Sequence, residues 1–297
     1  RAKAEGRGSY RFFTDSMDAE VRTRVTLGTE LREAIDSDQL VLLYQPQVST
    51  ENGRINGLEA LVRWHHPRRG VLGPDVFIPV AETIGVVAKL GHWVLWTACR
   101  QGKAWLDGGI DPVRIAVNLS ALQFKTPRAL EKDIVAALTE TGLPPGLLEL
   151  EITETVLMEA SREHSGILAR LRQLGVTIAI DDFGTGYSSL DYLSRFPVDR
   201  IKIAQNFVRN LETTPRNAAI VKATIGLARE LSITVIAEGV ETPKQVELLK
   251  GWGCSEAQGF YFAKPLSEPD VTAMLRTGRT RSQAVVVELG KRPPKIA

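Results

Sequence analysis

The order of segments along the chain predicts an α/β protein folded as a (β/α)8 barrel. Three observations carry that prediction. Eight short, β-branched apolar runs alternate with longer amphipathic segments over about 240 residues. The length, 297 residues, fits one large barrel or two modest domains. The competing arrangement, a doubly wound open sheet, needs a Gly-rich phosphate turn after its first strand, and none stands there.

The elements follow in order. The stretch to Asp38 is polar and charged, and its later part sets Val25, Leu27, Leu31, Ala34 and Ile35 at helical spacing. Residues 1–38 therefore read as an incoming linker helix. Strands are expected at Leu40–Tyr44, Ile55–Val62, Arg114–Asn118, Leu147–Ile152, Thr177–Asp181, Arg200–Ile203, Thr234–Ala237 and Ala257–Phe262. Helices are expected within Thr83–Leu106, Pro127–Thr141, Ser161–Leu174, Arg216–Leu231 and Pro243–Lys250. Pro127 suits a first helical turn and Gly142 a stop. Residues 39–280 form the barrel domain, and 281–297, Arg/Lys/Pro-bearing and aperiodic, form a loose tail.

Composition narrows the setting. With 43% apolar and 24% charged residues the chain has the make-up of a globular domain rather than a disordered tail. Its 37 Lys+Arg against 35 Asp+Glu leave a net charge of +2, which argues against DNA or RNA held by bulk electrostatics. Cys99 and Cys254 stand far apart in apolar segments and read as buried, reduced thiols of a cytoplasmic protein. No apolar run approaches the ~20 residues that span a bilayer, so no membrane contact is expected of this stretch. The chain opens on Arg1 and not Met, so it reads as part of a longer protein, which can itself be membrane-anchored.

Almost every apolar run carries an ionisable or amide residue near its end. These are Glu59 and Arg63, Asn118, Glu151 and Glu154, Asp181 and Asp182, Lys202, Glu238 and Glu241, and Gln258. In a parallel barrel the C-terminal strand ends share one rim, so such residues converge there. Glu59, Glu151, Asp181, Asp182 and Glu238 would bring five negative charges together, with Asn118 as a neutral oxygen ligand and Lys202 and Arg63 as the offsetting cations. Carboxylates so crowded repel unless cations sit among them. Oxygen ligands without paired His or Cys select hard ions, Mg²⁺ or Mn²⁺, over zinc. Adjacent Asp181 and Asp182 suit two ions, one carboxylate bridging them, and two ions about 4 Å apart imply activated water attacking a phosphodiester. Other features carry less. His65-His66, followed by Pro67 and a basic turn, reads as a loop rather than a metal pair, and Trp93, Leu95 and Trp96 read as helix core.

The strings around these residues resemble the EAL family of cyclic di-GMP phosphodiesterases. They are "YQPQV" at Tyr44–Val48, "GLEALVRWHHP" with Glu59-Ala60-Leu61, "NLSALQF" at Asn118–Phe124 and "ELEITE" at Glu149–Glu154. "DDFGTGYSSL" at Asp181–Leu190, "DRIKI" at Asp199–Ile203, "AEGVET" at Ala237–Thr242 and "QGFYFAKPL" at Gln258–Leu266 follow. The resemblance implies a modified TIM (β/α)8 barrel with one antiparallel strand, here the Leu40–Tyr44 run. It implies Glu59, Asn118, Glu151 and Asp181 as ligands of one Mg²⁺ or Mn²⁺ ion, and Asp181, Asp182 and Glu238 as ligands of a second. Lys202 matches the lysine that orients the attacking water, so Glu59, Lys202 and Glu238 are the expected catalytic residues. Gln45, Leu61, Arg63, Glu241 and Gln258 match substrate-contacting positions, and Glu154 matches the glutamate that braces the Phe183–Ser189 loop. The implied reaction opens cyclic di-GMP to linear 5′-pGpG, commonly in a homodimer. "YRFFTDSMDAEVRTR" at Tyr10–Arg24 resembles the exit from a GGDEF domain, which implies an upstream GGDEF or sensor domain.

One departure stands out. The family usually has Lys-Ile-Asp after the sixth strand, and this chain has Lys202-Ile203-Ala204. That leaves an alternative in which the domain binds cyclic di-GMP as a receptor without cutting it. A third reading, a barrel lyase using Lys202 as a Schiff-base amine, needs a depressed lysine pKa, which five nearby carboxylates oppose.

Overall fold

The computed structural model describes residues 15–186 and 191–278. Two compact units emerge: residues up to Val41 with Arg63–Leu90, and Leu42–Val62 with residues from Gly91 on.

In the first unit a helix spans Asp15–Ile35, within the stretch read as a linker. It buries Leu27, Leu31, Ala34 and Ile35, and Phe77, Val80 and Ala81 of the helix Pro74–Thr83 are buried in the same unit. Burying one such aliphatic or aromatic side chain is worth about 1.5–3 kcal/mol. His65 and His66 are not loop residues. They close a strand, β2 (Ile55–His66), which folds back through Pro67–Arg69 onto a short strand β3 (Gly70–Leu72), pairing His65 with Val71 and His66 with Gly70. Proline and the basic turn mark the bend of the hairpin rather than the end of the strand before it. His66 Nδ1 accepts from the Arg68 amide (3.1 Å), so Nε2 donates to Glu30 (2.9 Å), and that pair ties the helix to the hairpin. The expected Thr83–Leu106 helix forms as Val87–Asp107, and a separate helix, Pro74–Thr83, precedes it. The GGDEF-like stretch lies outside the described residues from Tyr10 to Thr14, as does the tail 281–297.

The second unit is a closed barrel. With β1 (Leu40–Ser49), β4 (Arg114–Asn118), β5 (Leu148–Thr153), β6 (Thr177–Phe183), β7 (Arg200–Ile203), β8 (Thr234–Ala237) and β9 (Glu256–Gln258), the sheet runs β1-β9-β8-β7-β6-β5-β4-β2-β3 and closes through β1–β2. Neighbours from β2 round to β9 are parallel, and β1 meets β9 antiparallel. The reversed strand is thus the one the resemblance implied. The last strand stops at Gln258, short of the expected Phe262, because the chain turns there to meet the β8 rim loop: Val240 N–H donates to the Gln258 carbonyl and Tyr261 N–H to that of Val240. A Cβ on Gly259 would lie 2.1 Å from the Val240 carbonyl oxygen, so only glycine permits this backbone approach.

Alternation sorts the strands. Ile115, Val117, Leu148, Leu150, Ile178, Ile180, Ile201 and Ile203 are buried as the outward set on β4 to β7, and Glu149, Glu151, Arg200 and Lys202 alternate with them and face the interior. Barrel interiors are usually filled by branched apolar side chains. Here one layer is an ion network: Arg200 pairs with Glu149 (2.9 Å) and Glu256 (2.5 Å), and Arg114 reaches Glu256 (2.9 Å). Burial pushes the Glu149 carboxyl up, whereas Arg200, Arg114 and Asn56 outweigh burial at Glu256 and hold it low. Ala116 and Ala179, inward on β4 and β6, leave room for these long side chains. Residues two further along β5, β7 and β9 are Glu151, Lys202 and Gln258, so this network is the floor on which the rim site stands.

Candidate active site

All eight barrel strands send a polar residue to the rim. Gln45 comes from β1, Glu59 from β2, Asn118 from β4, Glu151 from β5, Asp181 and Asp182 from β6, Lys202 from β7 and Gln258 from β9, with Glu238 directly after β8. Lys202 is the centre. Its ammonium lies 2.8 Å from Glu151, 2.8 Å from Glu238, 3.1 Å from Asp181 and 3.6 Å from Glu59, and it is fully buried. Glu59 is fixed from both sides: Asn118 donates to Oε1 (2.8 Å) and Gln258 to Oε2 (2.5 Å).

Asp181 and Asp182 pose a geometric problem, because adjacent strand residues point to opposite faces. The chain solves it with a bulge. The β6–β7 register shifts between Ile180 and Phe183, and Asp182 takes φ +54°, a left-handed conformation uncommon for a residue with a side chain. As a result carboxylate oxygens of Asp181, Asp182 and Glu238 lie within 4.8 Å of one another. Glu154, buried at the start of the helix Glu154–Met158, accepts from the Gly184 amide at 2.9 Å and so ties the end of β5 to the segment after β6. Residues 187–190 of that segment lie outside the described residues.

Burial works against the Lys202 ammonium, but Glu151, Glu238, Glu59 and Asp181 outweigh it and hold its pKa well above the ordinary lysine value. An amine held protonated by four carboxylates is a poor Schiff-base nucleophile, which argues against the lyase reading. Burial also raises Glu59, yet Lys202, Gln258 and Asn118 reverse it and keep that carboxyl low. Glu151 is pushed well up by burial and by Glu59, Asp182 is raised by burial and by Asp181, and Glu238 is pushed up to about 8, mainly by burial. Five carboxylates face one ammonium, and Glu151 Oε2 is buried with the lysine as an ion-pair partner but no directed hydrogen bond. An all-oxygen donor set with a formal charge deficit of four fits two hard divalent cations.

A pH dependence follows. Glu238 titrates higher in the fold than in the unfolded chain, so its contribution to the metal-free fold is full below the ordinary carboxylate range and is lost as pH rises through about 8. The Tm in EDTA is expected to fall between about pH 5 and 8. Saturating Mg²⁺ or Mn²⁺ replaces the proton and removes that fall. Thermal melts with and without the ion check it; a metal-free Tm that rises over this interval contradicts it.

A solvent-open cavity adjoins the cluster, lined by Gln45, Glu59, Leu61, Glu238, Glu241 and Gln258. The sequence had assigned all of these to the site. It missed Gln205, Gly239, Gly259 and Phe260, which line the same cavity. Arg63 stands further along β2, in the first unit. Cys99 and Cys254 are buried and their thiols are pushed up to about 12, chiefly by burial, so neither is a nucleophile at neutral pH.

The EAL domain family model matches residues 29–265 of this chain. The chain belongs to the EAL family. It is 45% identical over 272 residues to MucR of Pseudomonas aeruginosa, a bifunctional diguanylate cyclase/cyclic di-GMP phosphodiesterase, covering 92% of this chain and 40% of MucR. It is 40% identical to the cyclic di-GMP phosphodiesterase NbdA of the same organism, over 94% of this chain and 36% of NbdA. The EAL chain thus spans two fifths or less of the length of these relatives. The solved structure of the MucR phosphodiesterase in complex with c-di-GMP superposes with a TM-score of 0.80 at 45% identity, covering 83% of this chain and 99% of that one. Among the described residues of this EAL domain no helix is long and apolar enough to cross a membrane.

Proposed function

We propose that this EAL domain hydrolyses cyclic di-GMP to linear 5′-pGpG with two divalent cations. The observation that carries the reading is the gathering of four carboxylates, Glu59, Glu151, Asp181 and Glu238, from separate strand ends around one buried lysine, with Asp182 beside them and an open cavity adjoining. Glu59, Asn118, Glu151 and Asp181 are proposed to hold one ion, and Asp181, Asp182 and Glu238 the other. Bound there, the ions would supply Lewis-acid stabilisation of the phosphodiester and would lower the pKa of a bound water. The chain's own residues do the rest. Lys202, kept cationic by its neighbours, orients the attacking water and offsets charge as the P–O3′ bond breaks. Asn118 and Gln258 hold Glu59 in place, and Gln45, Leu61, Arg63, Glu241 and Gln258 are proposed to seat the nucleotide. Glu154 is proposed to brace the segment after β6 through Gly184. Residues 39–280 form the catalytic domain in this proposal, entered through the 1–38 linker from an upstream GGDEF or sensor domain, and the domain acts as a cytoplasmic homodimer.

Incubation of metal-stripped protein with cyclic di-GMP and Mg²⁺ or Mn²⁺, followed by separation of products, is expected to give 5′-pGpG only when the ion is added. Intact substrate under both conditions overturns the hydrolase reading and favours the receptor. Ala204 is the feature that leans toward the receptor. It is buried and starts the helix Gln205–Arg209 without a side-chain cap. Because the six proposed metal ligands and Lys202 are all in place, Ala204→Asp is expected to raise kcat or leave it unchanged. A large fall would show that packing around Ala204 has been rebuilt.

A further inference from the structure

We infer that Gln205 is a specificity-determining residue of this EAL domain, its carboxamide reading the O6/N7 edge of one guanine. The inference deepens the proposed function and rests on cyclic di-GMP being the nucleotide bound.

The cavity's hydrogen-bond inventory leads there. Guanine presents N1–H and N2–H donors on one edge and the acceptors O6 and N7 on another. The carboxylates in the cavity, Glu241 among them, accept and so serve the donor edge only. Among the side chains that line the cavity, the acceptor edge needs one with an N–H to give. Gln45 spends its amide on the Ala263 carbonyl (3.1 Å), and Gln258 spends its own on Gln45 (3.0 Å) and Glu59 (2.5 Å). Gln205 lines the same cavity, is exposed, and its carboxamide has no partner among the described residues.

Two further features hold Gln205 in that place. It begins the helix Gln205–Arg209 three residues after Lys202, so its position is tied to the strand that carries the lysine. Gly239, at φ +67°, leaves the gap its stem crosses: a Cβ there would lie 2.1 Å from Gln205 Cγ. The ring of Phe260, 57% exposed, lines the cavity as well and offers a flat apolar surface to a base.

The test compares wild type with Gln205→Leu, similar in volume but without donor or acceptor. KM for cyclic di-GMP and the Kd measured in EDTA, where no divalent ion supports turnover, are each expected to rise about tenfold, with kcat within about twofold. The preference for cyclic di-GMP over cyclic di-AMP should narrow by a similar factor. Unchanged KM and Kd, or a fall in kcat at constant KM, overturns the assignment. If wild type binds the nucleotide in EDTA but forms no product with Mg²⁺, the hydrolase reading fails, and the Kd comparison still decides the role of Gln205.

Discussion

Glu59→Ala is expected to lower hydrolysis of cyclic di-GMP by roughly a thousandfold or more, in a protein that still folds. Glu59 is the carboxylate most tightly held before any cation binds, with an amide donating to each oxygen and Lys202 at 3.6 Å. That arrangement presets one ligand, and losing it leaves Asn118, Glu151 and Asp181 to bind the proposed first ion alone. The fold survives because the deletion also relieves repulsion with Glu151, one cause of that carboxyl's raised pKa. Circular dichroism and the melting curve should stay near wild type while turnover disappears. Equal turnover after metal is restored to a stripped sample would refute the assignment of Glu59.

Lys202→Met acts on stability and turnover together. Without the ammonium, Glu151 and Glu59 remain buried among carboxylates with no cation of the chain's own. Stranding a buried charge in this way costs about 3–5 kcal/mol, or roughly 10 °C in Tm for a domain of this size. That loss belongs to the metal-free protein, and saturating Mg²⁺ or Mn²⁺ should recover most of it. Turnover should stay at least about a hundredfold down even with the ion present, because the water has lost its orienting group. A variant as stable as wild type in EDTA would show that the carboxylates do not depend on Lys202. A variant of normal turnover would remove the lysine from the mechanism.

Much of this was legible because strand alternation and the barrel rim are strong constraints. Arg114–Asn118, Arg200–Ile203 and Thr234–Ala237 are strands at the boundaries read from the sequence, each ending within one residue of a polar rim residue. What escaped depends on contacts between distant segments. Alternation alone sends Asp181 and Asp182 to opposite faces, and the bulge that reunites them appears only in the register with β7. The ion network of Arg114, Glu149, Arg200 and Glu256 is equally hidden, because its members lie 142 residues apart at the extremes. Gln205 carried no signal in its own string. Its place in the cavity depends on Gly239, on the next rim loop. The β2–β3 hairpin was missed for a local reason, since Pro67 after His65-His66 looked like the end of order rather than its turning point.

The central claim is that the rim carboxylates cage a pair of hard cations against the substrate. Anomalous diffraction from crystals grown with cyclic di-GMP and Mn²⁺ tests it most directly. Two manganese peaks are predicted, both touching Asp181, one shared with Glu59, Asn118 and Glu151 and the other with Asp182 and Glu238. A nucleotide-bound site holding a single ion, no ion, or ions remote from Asp181 would contradict it.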